Sequence, residues 1–258
     1  MTQSLPGISG PAVLRDYLDR HGVRRAMVFN DGALVNTVRF PLAAVETEGA
    51  ILFADLPGYS LIADEMGAVA ASYVANHFFA WFEGEAGRHF DGVVERFVGD
   101  AVLVVFLHDL CHDDPMRLAM RTAHAMLDFD PYMFAPKIGI ASGEFAVSVV
   151  GTESNGYVSV VGHAPNLAAR CVQAVATEAA IRIASNDHAA IASVFGSAKW
   201  TITGDVPFEP KNLERLLVTD VERLTMWVTM DDRREAVRKA VALAREAGAI
   251  VSTTPAVS

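Results

Sequence analysis

The chain has 258 residues, 52% of them hydrophobic and 20% charged, enough for one large core or two small ones. A formal net charge of -10 argues against broad binding to nucleic acid or anionic membrane, which needs basic surface. It does not exclude an anionic nucleotide, because a few local cations can dominate a site.

Only Cys111 and Cys171 are present, so no disulfide framework exists and a reducing cytoplasm is expected. The first seven residues lack the basic-then-apolar order of a signal peptide. The apolar stretch 68–82 is interrupted by Ser72, Asn76 and His77, and is too short and too polar to span a bilayer.

Residues 1–48 mix short apolar pieces with Gly and Pro, and Asp31-Gly32 predicts a turn between two short strands. Residues 49–56, rich in Ile, Leu and Phe, read as a central strand. After the Pro57-Gly58 turn, Ser60 is expected to cap a helix running to about Gly87. The apolar runs 93–98 and 101–107 flank Gly99-Asp100 as a β-hairpin. A helix over 115–127 has Asp114 as its cap and Pro115 in its first position.

Segments 136–141 and 144–150 predict a second hairpin about Ser142-Gly143, with a polar loop over 151–156. Then follow a strand at 157–161, a helix at 164–176 with Pro165 near its start and a strand at 181–184. A helix at 186–194, strands at 199–203 and 213–218, and a charged amphipathic helix at 231–247 complete the chain. This mixture predicts an α+β sheet with helices on one face. An N-terminal extension (1–47) would precede one catalytic domain (48–220), with a C-terminal helix and tail (221–258).

Two aspartates, Asp55 and Asp100, stand at the ends of apolar runs, where sites form. Two carboxylates brought together suit a pair of hard divalent cations, which clamp phosphates during in-line displacement. Asn166 and Arg170, four apart on a predicted helix, share one face.

Four stretches together resemble the class III nucleotidyl cyclase catalytic domain, over roughly residues 48–220. They are Phe53-Ala54-Asp55 with Gly58-Tyr59-Ser60, then Val98-Gly99-Asp100, then 137–144 (Lys-Ile-Gly-Ile-Ala-Ser-Gly-Glu), then 161–170 (Val-Gly-His-Ala-Pro-Asn-Leu-Ala-Ala-Arg). The resemblance implies a ferredoxin-like fold with a mostly antiparallel sheet and flanking helices. It implies that a ribose 3′-hydroxyl attacks the α-phosphate of a nucleoside triphosphate, with pyrophosphate leaving. It assigns Asp55, Asp100 and the Leu56 carbonyl to two Mg²⁺ or Mn²⁺ ions, Asn166 to the ribose and Arg170 to the α-phosphate. A phosphate-binding lysine is often found near Lys211. The family's sites lie between two domains paired head to tail, so a homodimer is implied, because one chain carries both halves.

The base-reading positions depart from the common pattern. Adenylate cyclases of this family place Lys four residues before the second aspartate, where Arg96 stands, and Asp or Thr seven before the asparagine, where Ser159 stands. Guanylate cyclases commonly use Glu and Cys there. Tyr59 replaces the usual Phe. Arg96 offers donors only, which match base acceptors, and the added bulk favours a one-ring base. The Tyr59 and Arg96 pair resembles the pyrimidine cyclases of bacterial Pycsar-type antiphage defence, whose cyclic UMP or cyclic CMP activates a separate effector. UTP is the expected substrate, with CTP and then ATP as alternatives. The rival of another class is a silent cyclase-like domain acting as a nucleotide sensor. The cluster His108, Cys111, His112, Asp113 and Asp114 reads as a polar loop with helix caps, and Phe78, Phe79, Trp81 and Phe82 as helix core or dimer interface.

Overall fold

The computed structural model describes residues 10–23, 26–30, 38–128, 134–152, 154–224 and 230–249. In chain order the elements are α1 (Gly10–Arg20), β1 (Ala26–Asn30), β2 (Val38–Leu42), β3 (Ala44–Asp55), α2 (Tyr59–Met66), α3 (Ala68–His89), β4 (Val93–Val98) and β5 (Ala101–Leu107). There follow α4 (Pro115–Asp128), β6 (Lys137–Val150), β7 (Tyr157–Gly162), α5 (His163–Ala174), β8 (Ala180–Ile183), α6 (His188–Phe195), β9 (Trp200–Phe208), β10 (Leu216–Arg223) and α7 (Met230–Glu246). β1 and β2 pair as expected, while the Asp31-Gly32 turn lies outside the described residues.

The other strands form one mixed sheet in the order β4-β5-β3-β6-β8-β10-β9, with β7 also on β6. Among the described residues only β6 and β8 run parallel. The fold is α+β, but helices cover both faces rather than one. In β3, Ala50, Leu52 and Ala54 face a core shared with α3, α4, α6 and α7, while Ile51 faces a second core shared with α1 and α5. The period-2 geometry of a strand separates these two sets.

Three local expectations are corrected. The helix after Pro57-Gly58 is two helices, broken at Gly67, whose φ of 85° only glycine adopts cheaply. Gly58, not Ser60, occupies the N-cap of α2. The hairpin expected about Ser142-Gly143 is a single 14-residue strand, β6, because β3 continues back to Ala44 and pairs with it without a slip. The sequence predicts no helix within residues 1–48, where α1 stands. Its Leu14, Tyr17 and Leu18 are buried in the second core, and the Tyr17 hydroxyl bonds Thr47 Oγ1 at 3.0 Å and Asp109 at 3.1 Å. Asp114 caps α4 as expected, its Oδ1 accepting the Arg117 N–H at 2.8 Å. Phe78 and Phe82 are fully buried, as a core role requires. Among the described residues no helix is long and apolar enough to cross a membrane.

Gly49 and Gly143 face each other at the point where β3 leaves β5. Beyond them β3, β6 and β7 continue as a ribbon, and α1 packs against β4, β6 and β7. A flat sheet would hold Ser159 of β7 roughly 30 Å along the strands from the level of Arg96 on β4, at about 3.3 Å per residue. The two side chains are bonded instead, so the ribbon curls back across α1 toward β4.

α5 lies very close to β6. A Cβ on Gly139 would stand 2.3 Å from the Ala168 carbonyl oxygen and 2.4 Å from the Val172 nitrogen, both backbone. Gly139→Ala is therefore expected to cost about 1–3 kcal/mol, as overpacking does, read as a lower urea midpoint. An unchanged midpoint would show that α5 sits less tightly than described.

Candidate active site

β3 ends at Asp55, between two partners. In register, Asp55 faces Ala101 of β5, the residue after Asp100, and Lys137 at the start of β6. The β4–β5 turn, with Gly99 at φ 64°, therefore delivers Asp100 beside Asp55. Burial pushes the Asp55 carboxyl above the ordinary carboxylate range, and the like charge of Asp100 adds to that. Lys137 and the Leu56 N–H, which donates to the carboxylate, pull it partly back. The Leu56 carbonyl accepts the Tyr59 N–H at 3.4 Å and keeps a second lone pair. Gly58, left-handed at φ 77°, turns the chain into α2, whose first amides lie just after the aspartate.

The hard-oxygen donor set of Asp55, Asp100 and the Leu56 carbonyl fits a divalent cation, which would relieve the repulsion between the two carboxylates. The His112 ring and N–H, by contrast, go to Asp91, and Asp114 is used as a helix cap. Among the described residues no three or more His, Cys, Asp and Glu gather into a metal-holding group.

A second cluster lies where β4 meets β7. Val94 pairs with Val104 and Arg96 with Leu103, so Glu95 is the extra residue of a β-bulge. Arg96 donates from Nε to Glu95 Oε2 at 2.6 Å, from Nη2 to Glu95 Oε1 at 2.8 Å, and from Nη1 to the Tyr157 hydroxyl at 2.9 Å. Nη2 also meets the Ser159 hydroxyl, and the guanidinium carbon lies 4.7 Å from the Tyr157 ring centre. Arg96 and Ser159, 63 residues apart in sequence, are thus brought together.

On α5, Gly162 at φ 148° starts the helix, and a Cβ there would stand 2.9 Å from Phe145 Cα. Ala164, Leu167, Ala168, Cys171 and Val172 face the sheet, while Asn166, Arg170 and Gln173 share the outward face. Arg170 Nη1 donates to Gln173 Oε1 at 3.0 Å.

Two expected residues stand apart from these clusters. Tyr59 is half-buried on the α3-side core and is not one of Arg96's partners. Lys211 is exposed in the β9–β10 turn, beside the sheet edge opposite β4. Three neighbours were missed from sequence. Lys137 lies inside one of the four motifs but is assigned no role by it, and Tyr157 begins a predicted strand with nothing to mark it. Glu95 could not be found, because no sequence signal marks the bulge.

The profile of the adenylate and guanylate cyclase catalytic domain matches residues 44–215. The chain belongs to this family. Among curated relatives, the uncharacterized protein Rv1319c of Mycobacterium tuberculosis is 29% identical over 192 residues, which is 73% of this chain and 35% of that protein. Rv1320c of the same organism is 26% identical over 216 residues, 83% of this chain and 37% of that one. The chain thus spans about a third of the length of the curated relatives it matches. Two solved structures share the fold. The adenylyl cyclase CyaB from P. aeruginosa has a TM-score of 0.58 at 17% identity, covering 72% of this chain and 99% of that one. The guanylyl cyclase Cya2 has a TM-score of 0.57 at 22% identity, covering 70% and 95%.

Because the Asp55 carboxyl titrates higher in the folded chain, the native state holds its proton more tightly than the unfolded state. Metal-free stability therefore falls as the pH rises through the carboxylate range, and the loss persists at neutrality. Asp55→Asn is expected to melt at or above the wild-type temperature at pH 7 without metal. Mn²⁺ should raise the melting temperature of the wild type and not of the variant. An undiminished Mn²⁺ response in the variant would remove Asp55 from the metal site.

Proposed function

We propose that this domain is a uridylate cyclase, converting UTP to 3′,5′-cyclic UMP and pyrophosphate in sites shared by two copies of the chain. The observation that carries the substrate choice is the Arg96 cluster. Its one carboxylate, Glu95, has both oxygens taken by Arg96. The Ser159 hydroxyl is held by the same guanidinium. Adenine and cytosine each carry an exocyclic amine that needs an acceptor, and the acceptors of this cluster are already engaged by the guanidinium, with only their second lone pairs left. Uracil presents carbonyl oxygens, which suit Arg96 and the Tyr157 hydroxyl. Among structural neighbours, one is described as a rhodopsin-guanylyl cyclase with converted specificity in complex with ATPαS. That description supports the view that base choice can be changed within this fold.

In the proposed reaction Asn166 orients the ribose, and Arg170 stabilises the charge that develops on the α-phosphate. Lys137 and the first amides of α2 favour the negative triphosphate tail. Divalent ions at Asp55, Asp100 and the Leu56 carbonyl would supply a more acidic 3′-hydroxyl and charge neutralisation on the phosphates. Tyr59 adds bulk on the Asp55 side, and Lys211 is an outlying candidate for phosphate. A site shared between copies is supported by Asn166 and Arg170, which point outward on α5. Tyr157 at the Arg96 cluster, and Phe97 on the opposite face of β4, where it stacks on Phe79, are each 44% exposed and add apolar surface for a partner copy. A neighbour from Blastocladiella emersonii, with a TM-score of 0.52, is described as a non-canonical dimeric guanylyl cyclase domain, so the fold does pair with itself there, though not in the arrangement proposed here. In the cell the product would act as a cytoplasmic second messenger for a separate effector in antiviral defence.

Incubating the purified protein with each of the four nucleoside triphosphates and Mn²⁺ is expected to give cyclic UMP as the main product by mass spectrometry. Cyclic AMP as sole product would overturn the substrate assignment, and no turnover of any nucleotide would favour the sensor alternative. Asp100→Ala and Arg170→Ala should each be inactive alone. Mixed, they should recover about a quarter of wild-type activity, since half the dimers carry one intact site of two. No recovery on mixing would place the whole site within one chain.

A further inference from the structure

Glu95 is a buried carboxylate that takes no part in the proposed cyclisation step, although its pairing with Arg96 enters the choice of base. It is 2% exposed, and the alternation of β4 places it on the face of Val93, opposite that of Val94. The bulge sets Arg96 opposite Leu103, on that same second-core face, beside Glu95. A carboxylate so placed needs a partner with matched donors, and the Arg96 guanidinium supplies two in parallel at 2.6 and 2.8 Å. The remaining Arg96 contacts go to Tyr157 and Ser159.

This arrangement has two physical effects. A free arginine samples many rotamers, but a bidentate carboxylate fixes the plane of the guanidinium, and the Tyr157 ring holds it from another side. The pair is also neutral overall. An uncompensated guanidinium would attract any phosphate, and a neutral pair leaves directional donors without that pull.

Resting on the reading that Arg96 contacts the base, we infer that Glu95 is a positioning residue for base specificity. It fixes the plane and cancels the charge of Arg96, so that the pocket accepts the carbonyl edge of a one-ring base rather than a phosphate.

The test uses binding, so it does not depend on turnover. Dissociation constants with Mn²⁺ are measured for the four 3′-deoxynucleoside triphosphates, which lack the attacking hydroxyl. The proteins are wild type, Glu95→Gln, Arg96→Lys and the double variant. Glu95→Gln is expected to reduce the preference for the uracil over the adenine analogue by about tenfold, with Mn²⁺ affinity unchanged. Arg96→Lys should do the same, and the double variant should lose no more than either single one. Should Glu95→Gln fail to fold, Glu95→Asp keeps the buried charge but is one methylene too short for the two-point grip. It should then show the same loss of preference. If Arg96→Lys lowers the preference and neither Glu95 variant does, or if the losses add, the positioning role is overturned while Arg96 remains the reader. If the wild type binds all four alike, or Arg96→Lys keeps the wild-type preference, Arg96 is not the reader and the role of Glu95 falls with it.

Discussion

The two-sided pairing of β3 is the constraint on which the rest depends. Its residues pair with β6 from Ala44 to Asp55 without a slip, and with β5 from Gly49 onward. A slip of one residue would turn every side chain of the strand to the other face. Ala50, Leu52 and Ala54 would then exchange cores with Ile51 and Phe53, so the register is held by both cores at once. That same register sets Asp55 between Lys137 and the residue after Asp100. The repulsion of the two carboxylates is thus imposed by the packing of apolar residues several positions away.

The glycines serve this frame in different ways. Gly139 lets α5 approach the backbone of β6. Gly49 and Gly143 stand paired where the ribbon leaves the main sheet. The curl that follows carries Ser159 and Tyr157 to Arg96, although β5, β3 and β6 lie between β4 and β7 in the sheet order. One long strand therefore reaches the Asp55 and Asp100 carboxylates at one end and, through β7, the Arg96 cluster at the other.

Arg96 shows how the two clusters differ in electrostatic character. At Asp55 the like charges are left close together, and the carboxyl is pushed up. At Arg96 the charge is matched by Glu95, which holds the guanidinium in its charged form. An excess of negative charge on one side suits a cation, and a neutral, donor-rich wall on the other suits a nucleobase.

The sequence by itself determined the α+β class, most strands and helices, and the order of the four motifs. These rest on local periodicity, turn residues and spacing, which a linear reading contains. It placed Asp55 and Asp100 at strand ends and Asn166 and Arg170 on one helix face, because the hairpin and helix geometries are local. It did not show that the expected hairpin at Ser142-Gly143 is one strand, because glycine and serine there are equally consistent with a turn. Only the pairing with the N-terminal half of β3 keeps that chain extended. Nor could it reveal the bulge at Glu95, the curl of the ribbon or the meeting of Arg96 with Tyr157 and Ser159. Those depend on contacts between residues far apart in the chain, which only tertiary packing decides.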